Sequence, residues 1–382
     1  MRLVRFSALI VFSMIAVPSP HAEVRVATRG GETTAQHLEE SGWWPRKADA
    51  SSSDYVGANV CGQCHSELQR GQQQHAMAHT STPAREAEGT QLRASLAIGG
   101  FRYTIAPRAN SVNYTVSDGR RSLSVPLIWA FGSGGHGQTF LFTFQNSWYE
   151  TQVSFFRGHG LGITPGDPLP TSANLSDAIG RKVPQQELEK CFGCHATAAL
   201  TNNRLKPSGM TPGITCEGCH GPGFSHVALA RTIDSASPGM ILNPASMTPE
   251  DSVDFCGSCH RTAWDVLQLG LQGTQTVRFP AYRLEQSRCW GNGDPRITCV
   301  ACHNPHKPLE TNSAAYDSKC LACHLKSKNV GRVAGAVVRS CSVATENCVR
   351  CHMLKYRLPQ MQASFTDHDI RVVHDPNDFP ER

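Results

Sequence analysis

Long apolar runs are missing from this 382-residue chain. The longest, Phe6 to Val17, is about 12 residues, well short of the roughly 20 needed to span a bilayer, and no later run exceeds it. Apolar residues make up only 40% of the sequence, thin material for an aliphatic core. A strong charge of one sign is also lacking. The formal net charge is +5, and Arg2 and Arg5, with no acids beside them in residues 1–22, supply two of those positives. Removing that leader leaves +3, so composition gives no case for nucleic-acid binding.

The same leader has a basic start, an apolar middle and small or turn-forming residues up to Ala22, the pattern of a secretory signal peptide. Its junction is not a clean Ala-x-Ala, and no cysteine follows to accept a lipid. The expectation is therefore a periplasmic or extracellular protein with no integral membrane segment after signal cleavage.

What the chain does have is cysteine, 16 in all. Fourteen lie in seven Cys-x-x-Cys-His runs. These are Cys61-Cys64-His65, Cys191-Cys194-His195, Cys216-Cys219-His220, Cys256-Cys259-His260, Cys299-Cys302-His303, Cys320-Cys323-His324 and Cys348-Cys351-His352. Structural zinc and iron–sulfur sites also use Cys-x-x-Cys, but neither needs a histidine after the second cysteine every time. Two thiols on one turn reach the two vinyl groups of a haem, and the adjacent imidazole reaches its iron as proximal ligand. The motifs therefore imply seven covalently bound haem c groups, whose propionates would take the net charge to about −11 when ferrous and about −4 when ferric. Haem faces then replace much of the aliphatic interior, and the 33 glycines and 23 prolines suit a loop-rich chain wrapped around cofactors.

Residues 23–54 show no sustained period and read as a flexible N-terminal arm, followed by a first haem segment at 55–89 in which one helix would carry His75 and His79 on a single face. At 90–165 the period changes to two: Val112, Tyr114 and Val116 precede an Asp118-Gly119 hairpin signal, and Leu123, Val125 and Leu127 follow it. A second run holds Phe140, Phe142 and Phe144, and a glycine-rich loop at 132–137 lies between. A six-haem region at 166–355 contains duplicated units. Pro184 and Pro249 each stand seven residues before a motif, and "ITCEGCHGP" matches "ITCVACHNP". Residues 356–382 form a tail. The expected fold is mainly α and loop, organised around stacked c-type haems, with a small antiparallel β insert at 90–165.

Setting aside His21 and the seven motif histidines leaves His37, His75, His79, His136, His159, His226, His306, His368 and His374. Seven distal positions could be filled from these, with His75, His79, His226, His306 and His368 the leading candidates. His226 lies six residues past His220, a reach of at most about 20 Å, and His306 only three past His303, so each suits a neighbouring iron rather than its own. On a continuous helix His75 would stand about 15 Å from His65, with the same implication. Met353 directly follows a proximal histidine and suits packing. Cys289 and Cys341 lie outside every motif, and in an oxidising compartment the expectation is a disulfide between them.

"YVGANVCGQCH" followed by "HAMAH", with "CHGPGFSH" later, resembles the cytochrome c-554 group (the cytochrome c-552/4 type) of multihaem cytochromes, and the tail "CVRCHMLKY…FTDHDIRV" resembles related proteins of environmental bacteria. Relatives of that group include hydroxylamine oxidoreductase and the ammonia-forming nitrite reductases. The latter typically show Cys-x-x-Cys-Lys at the active haem, whereas every motif here ends in histidine. Bis-histidine ligation favours an electron carrier serving redox partner proteins, among them other multihaem cytochromes. Two alternatives stand beside it: an oxidoreductase acting on a small nitrogen or sulfur compound at one five-coordinate haem, with His136 or His159 as proton donor, and a subunit of an extracellular haem filament.

Overall fold

The computed structural model describes residues 50–169, 174–202, 204–232, 241–290, 296–324, 341–375 and 379, with the backbone of short strands at 28–29, 32–33, 331–333 and 336–338. The expected leader, most of the N-terminal arm and His37 lie outside these residues.

Alternating apolar and polar residues build one dominant antiparallel sheet. Its strands are β1 (Ser81–Pro83), β2 (Ala94–Ile98), β3 (Phe101–Pro107), β4 (Val112–Ser117), β5 (Ser122–Phe131), β6 (Thr139–Phe144) and β7 (Ser147–Thr151). A separate hairpin of β8 (Val153–Phe156) and β9 (Gly160–Ile163) comes next, and β10 (Gly180–Lys182) returns to the sheet. The order is β10-β7-β6-β5-β4-β3-β2, with β1 paired to the end of β5, eight strands in all. One face is the largest apolar core of the described residues: Phe101, Tyr103 and Ile105 of β3, Val112, Tyr114 and Val116 of β4, and Phe140 and Phe142 of β6 are all buried.

This corrects the expectation of a mainly α and loop fold with a small β insert. The sheet's strands run from Ser81 to Lys182: β2 to β7 fill the expected 90–165 segment with more strands than the plainest alternation implies, and β1 and β10 join from either side of it. The hairpin at Asp118-Gly119 forms as expected: Asp118 Oδ1 accepts hydrogen bonds from the Arg120 and Arg121 amides, and Gly119 takes φ +87°. The second run, expected around Phe140, Phe142 and Phe144, ends at Gln145 and Asn146, both left-handed, which turn β6 into β7.

Strand β5 carries a register shift between Leu127 and Trp129. Such an irregularity re-aims side chains. Trp129 and Phe131 pack edge-on against Phe192, at 5.5 and 5.0 Å between ring centroids, and so join the sheet to the helix carrying the second motif.

Helix α1 (Ser66–Gln73) ends before His75. His75 instead caps a 3-10 turn at Ala76–His79, so the two histidines do not share the face of one helix. The paired entries to the motifs at 191 and 256 form as the sequence implies: α2 (Gln185–His195) starts after Pro184, and α4 (Pro249–His260) starts with Pro249 in its first turn and Thr248 Oγ1 accepting from the Asp251 amide at 3.2 Å. Between them lies α3 (Phe224–Ala230), and α5 (Pro280–Glu285) packs on α4 through Val253, Ala281 and Leu284. No helix among the described residues is long and apolar enough to cross a membrane.

Candidate haem-binding sites

Each motif sits on one short helical turn, which is what brings its two thiols to the same side. Thr215 and Thr298, the threonines of the repeated Ile-Thr, precede the first cysteine as N-cap residues, and Thr298 Oγ1 accepts from the Ala301 amide. A continuous cavity of about 1900 Å³ runs along these turns. It is lined by Cys194, Cys219, Cys259, Cys302, Cys323 and Cys351 from the last six motifs, with His75 and His368 facing it. Ordinary ligand pockets hold about 300–1,000 Å³, so this space suits several large planar groups rather than one small molecule.

The histidines provide a sharper test of fit. Two imidazoles on opposite sides of one metal, each about 2 Å from it and each ring centre about 1 Å beyond its nitrogen, place their centroids about 6 Å apart. His65 and His226 are 6.5 Å apart, His220 and His306 6.0 Å, and His303 and His368 6.2 Å. Each pair joins a motif histidine to one of the candidate distal histidines. The residues present therefore fit haem iron.

Supporting groups hold these rings. His220 Nδ1 lies 2.8 Å from the Leu242 carbonyl, His352 Nδ1 2.8 Å from that of Arg371, His195 Nδ1 3.0 Å from that of Thr80, and His368 Nδ1 3.0 Å from that of Thr366. A carbonyl at Nδ1 places the proton there and leaves Nε2 for a metal. Burial lowers the pKa of His195, His260, His303 and His306, and takes His368 down to about 4, which keeps the neutral imidazole that metal binding requires.

Other candidates are placed differently. His75 Nδ1 accepts from the Met77 amide at 3.0 Å, the tautomer with its proton on Nε2, while a neighbouring positive charge on His75 would lower the pKa of His260. His79 is exposed, with Nε2 on the Gln73 carbonyl at 2.8 Å. His136, His159 and His374 are exposed. His195, His260 and His352 face no histidine ring at the paired separation among the described residues, and His195 instead meets Phe131 edge-on at 5.2 Å.

Neighbouring motifs follow sequence order only in part. The thiols of Cys256 and Cys299, and of Cys320 and Cys348, are close enough to interact between consecutive motifs, whereas Cys61 with Cys216 and Cys194 with Cys259 each skip one. Two carboxylates reinforce this. Glu217, inside the third motif and 3% exposed, accepts from the amides of Val56 and Gly57 ahead of the first motif and from Gly223, each at 2.8 Å. Asp317 does the same for the last two motifs, accepting from the amides of Asn347 and Cys348 at 2.6 and 2.8 Å, bonds that hold its own pKa down.

The expected disulfide is not formed. Cys341 is an exposed free thiol whose Sγ accepts from the Ala344 amide at 3.5 Å, within its own turn. Sequence reasoning also missed the carbonyls behind the histidines, which carry no residue signature, and Glu217, which sits in a variable position of its motif.

Residues 170–221, which include the second and third motifs, match the family model described as cytochrome c554 and c-prime. No curated protein matches. Among solved structures, the outer cell wall cytochrome OcwA shares the fold at a TM-score of 0.50 and 15% identity, over 84% of this chain and 80% of that one. Motif spacing, imidazole geometry, the local family match and the shared fold together support a multihaem c-type cytochrome.

Proposed function

We propose that the chain is an exported heptahaem c-type cytochrome that passes single electrons between redox partner proteins, other multihaem cytochromes among them, through mainly bis-histidine sites. The observation that carries this reading is the set of three imidazole pairs at 6.0–6.5 Å. A haem iron held by two imidazoles would have no coordination position open to a substrate, which suits electron transfer over catalysis.

Bound haem would supply the one-electron iron couple at each motif. The chain supplies the thiols that fix each group, the neutral imidazoles, the carbonyls that orient them and a mostly apolar cavity wall, which together set each potential. The nearness of thiols from four pairs of motifs supports closely spaced sites, across which single electrons would need only short steps.

Haem content measured with the ferric electron paramagnetic resonance (EPR) spectrum on the same sample tests the proposal. Seven haems with a low-spin spectrum are expected; fewer haems, or a mainly high-spin spectrum, would overturn it. One observation favours a second reading, an oxidoreductase acting on a small nitrogen or sulfur compound: His195 meets Phe131 where the three paired histidines meet an imidazole. A high-spin component that shifts on adding nitrite or hydroxylamine would bring that reading forward.

A further inference from the structure

Residues 367–371, Asp-His-Asp-Ile-Arg, come after the strand Ala363–Thr366 and have no regular secondary structure, yet their charged side chains are among the most deeply buried in the molecule. Asp367 and Asp369, on either side of His368, are both 0% exposed. Arg283, from α5 and 84 residues away from Asp367, is 1% exposed and meets both. Its Nε donates to Asp367 Oδ1 at 2.8 Å, and its Nη2 to Asp367 Oδ2 at 2.9 Å and to Asp369 Oδ2 at 3.3 Å. Arg371 donates from Nη1 to Asp367 Oδ2 at 2.6 Å and from Nη2 to Tyr356 Oη at 2.8 Å. Arg371 Nη1 also donates to the Asp369 carbonyl at 3.2 Å, so two cations and two anions close a neutral ring around the backbone that carries His368.

Buried ion pairs of this kind are weak stabilisers, because desolvation offsets much of the attraction; what they provide is one geometry, since losing a partner strands a buried charge. Here the geometry they fix points at two histidines. His368 itself stands 6.2 Å from His303. At the other end of the segment, His352 Nδ1 donates to the Arg371 carbonyl at 2.8 Å, and the Arg371 amide donates back to the His352 carbonyl at 3.3 Å. Ser287, just beyond α5, adds a neutral anchor: its Oγ donates to the His368 carbonyl at 2.7 Å and accepts from the Ile370 amide at 2.8 Å.

We propose that Arg283, through the buried Asp367–Asp369–Arg371 ring, is a positioning residue for two haem sites at once, setting the ring orientation of His368 and the Nδ1 hydrogen bond of His352. The proposal rests on the reading that both histidines are axial ligands. Because Nδ1 bonding and ring orientation tune an axial imidazole, the ring couples the properties of two sites whose motifs are 49 residues apart, Cys299 to Cys348.

The test uses purified full-length holoprotein, with haem content and thermal melting as folding controls, EPR spectra, and a potentiometric titration resolving the individual haems. Variant R283Q should move the low-spin signals and midpoint potentials of two sites and leave the others in place, and R283K, which keeps the charge without the two-pronged bonding, should recover part of the shift. Variant S287A removes no buried charge, so it keeps the test decisive where R283Q fails to fold, and it should move the same two sites. H368A identifies one of them. If H368A alters a low-spin signal while R283Q and S287A leave every signal and potential unchanged, the positioning role is wrong and the ligand reading stands. If H368A itself changes nothing, the ligand reading fails first.

Discussion

The imidazole rings of His220 and His306 face each other at 6.0 Å with their planes only 5° apart. His306 stands three residues beyond His303, in the segment that closes the fifth motif, yet it addresses the third. The pair at His303 and His368 is tilted by 44° at almost the same separation. Relative plane orientation governs the anisotropy of a low-spin ferric spectrum, so these two sites should be spectroscopically distinct.

Replacing His306 with alanine removes one imidazole from the near-parallel pair. The rhombic low-spin component should lose one haem's share, leaving that of the His65–His226 pair with planes 23° apart, and a high-spin ferric signal from one haem should take its place. The more anisotropic component assigned to the tilted pair should stay. EPR of H306A beside wild type reads both outcomes.

Glu217→Ala leaves the Val56, Gly57 and Gly223 amides without their carboxylate acceptor. A buried donor left without a partner costs about 1–3 kcal/mol, so the variant should melt well below wild type. Glu217→Gln keeps one acceptor oxygen and should fall in between. Thermal melts monitored in the far-ultraviolet measure the ranking.

Asp167 gives the sheet a pH dependence. Its carboxyl is pushed up to about 6, first by burial and then by nearby Glu150, against an ordinary value of 3.8. Because the folded value lies above the unfolded one, the contribution is fully present below about pH 4 and is lost as pH rises through about 6. The shift corresponds to about 2–3 kcal/mol. Denaturation of wild type and Asp167→Asn between pH 4 and 8 should show the wild type losing stability relative to the variant across that window.

Cys341 should react with a maleimide in the native, unreduced protein. Its thiol is exposed, and amide bonds from Ala344 and Val343 lower its pKa, which raises the thiolate fraction. Mass spectrometry of the labelled chain should place the adduct on Cys341; a Cys289–Cys341 disulfide would leave that position unlabelled.

Local chemistry is what the sequence makes legible. Cys-x-x-Cys-His is complete within five residues, and reading His226 and His306 as belonging to neighbouring sites needs only the reach of the chain. The partner of each is not legible, because His65 and His226 meet across 161 residues and nothing in either segment encodes that contact. Arg283 and Asp367 pose the same difficulty at a separation of 84. The sheet is a different case: Phe101, Tyr103 and Ile105 alternate with Arg102, Thr104 and Ala106 as plainly as the residues of β4 do, and their run follows a Gly-Gly turn, so this hairpin could have been read locally. What the local pattern does not encode is the closing of the sheet by β1 and β10.

The histidine pairs also run in one direction along the chain. His226 lies past the third motif and meets the first, His306 lies past the fifth and meets the third, and His368 lies past the seventh and meets the fifth. In a chain emerging from its N-terminus, the first site on the proposed ligation therefore waits for about 160 further residues before its second imidazole arrives, and the third and fifth sites wait in turn. On the proposed ligation, maturation is retroactive at these three sites: the stretches carrying His226, His306 and His368 each finish a site laid down before them. A chain cut between His303 and His368 would leave the fifth site with a single imidazole, and the truncated product would carry a spectroscopic mark of its incompleteness.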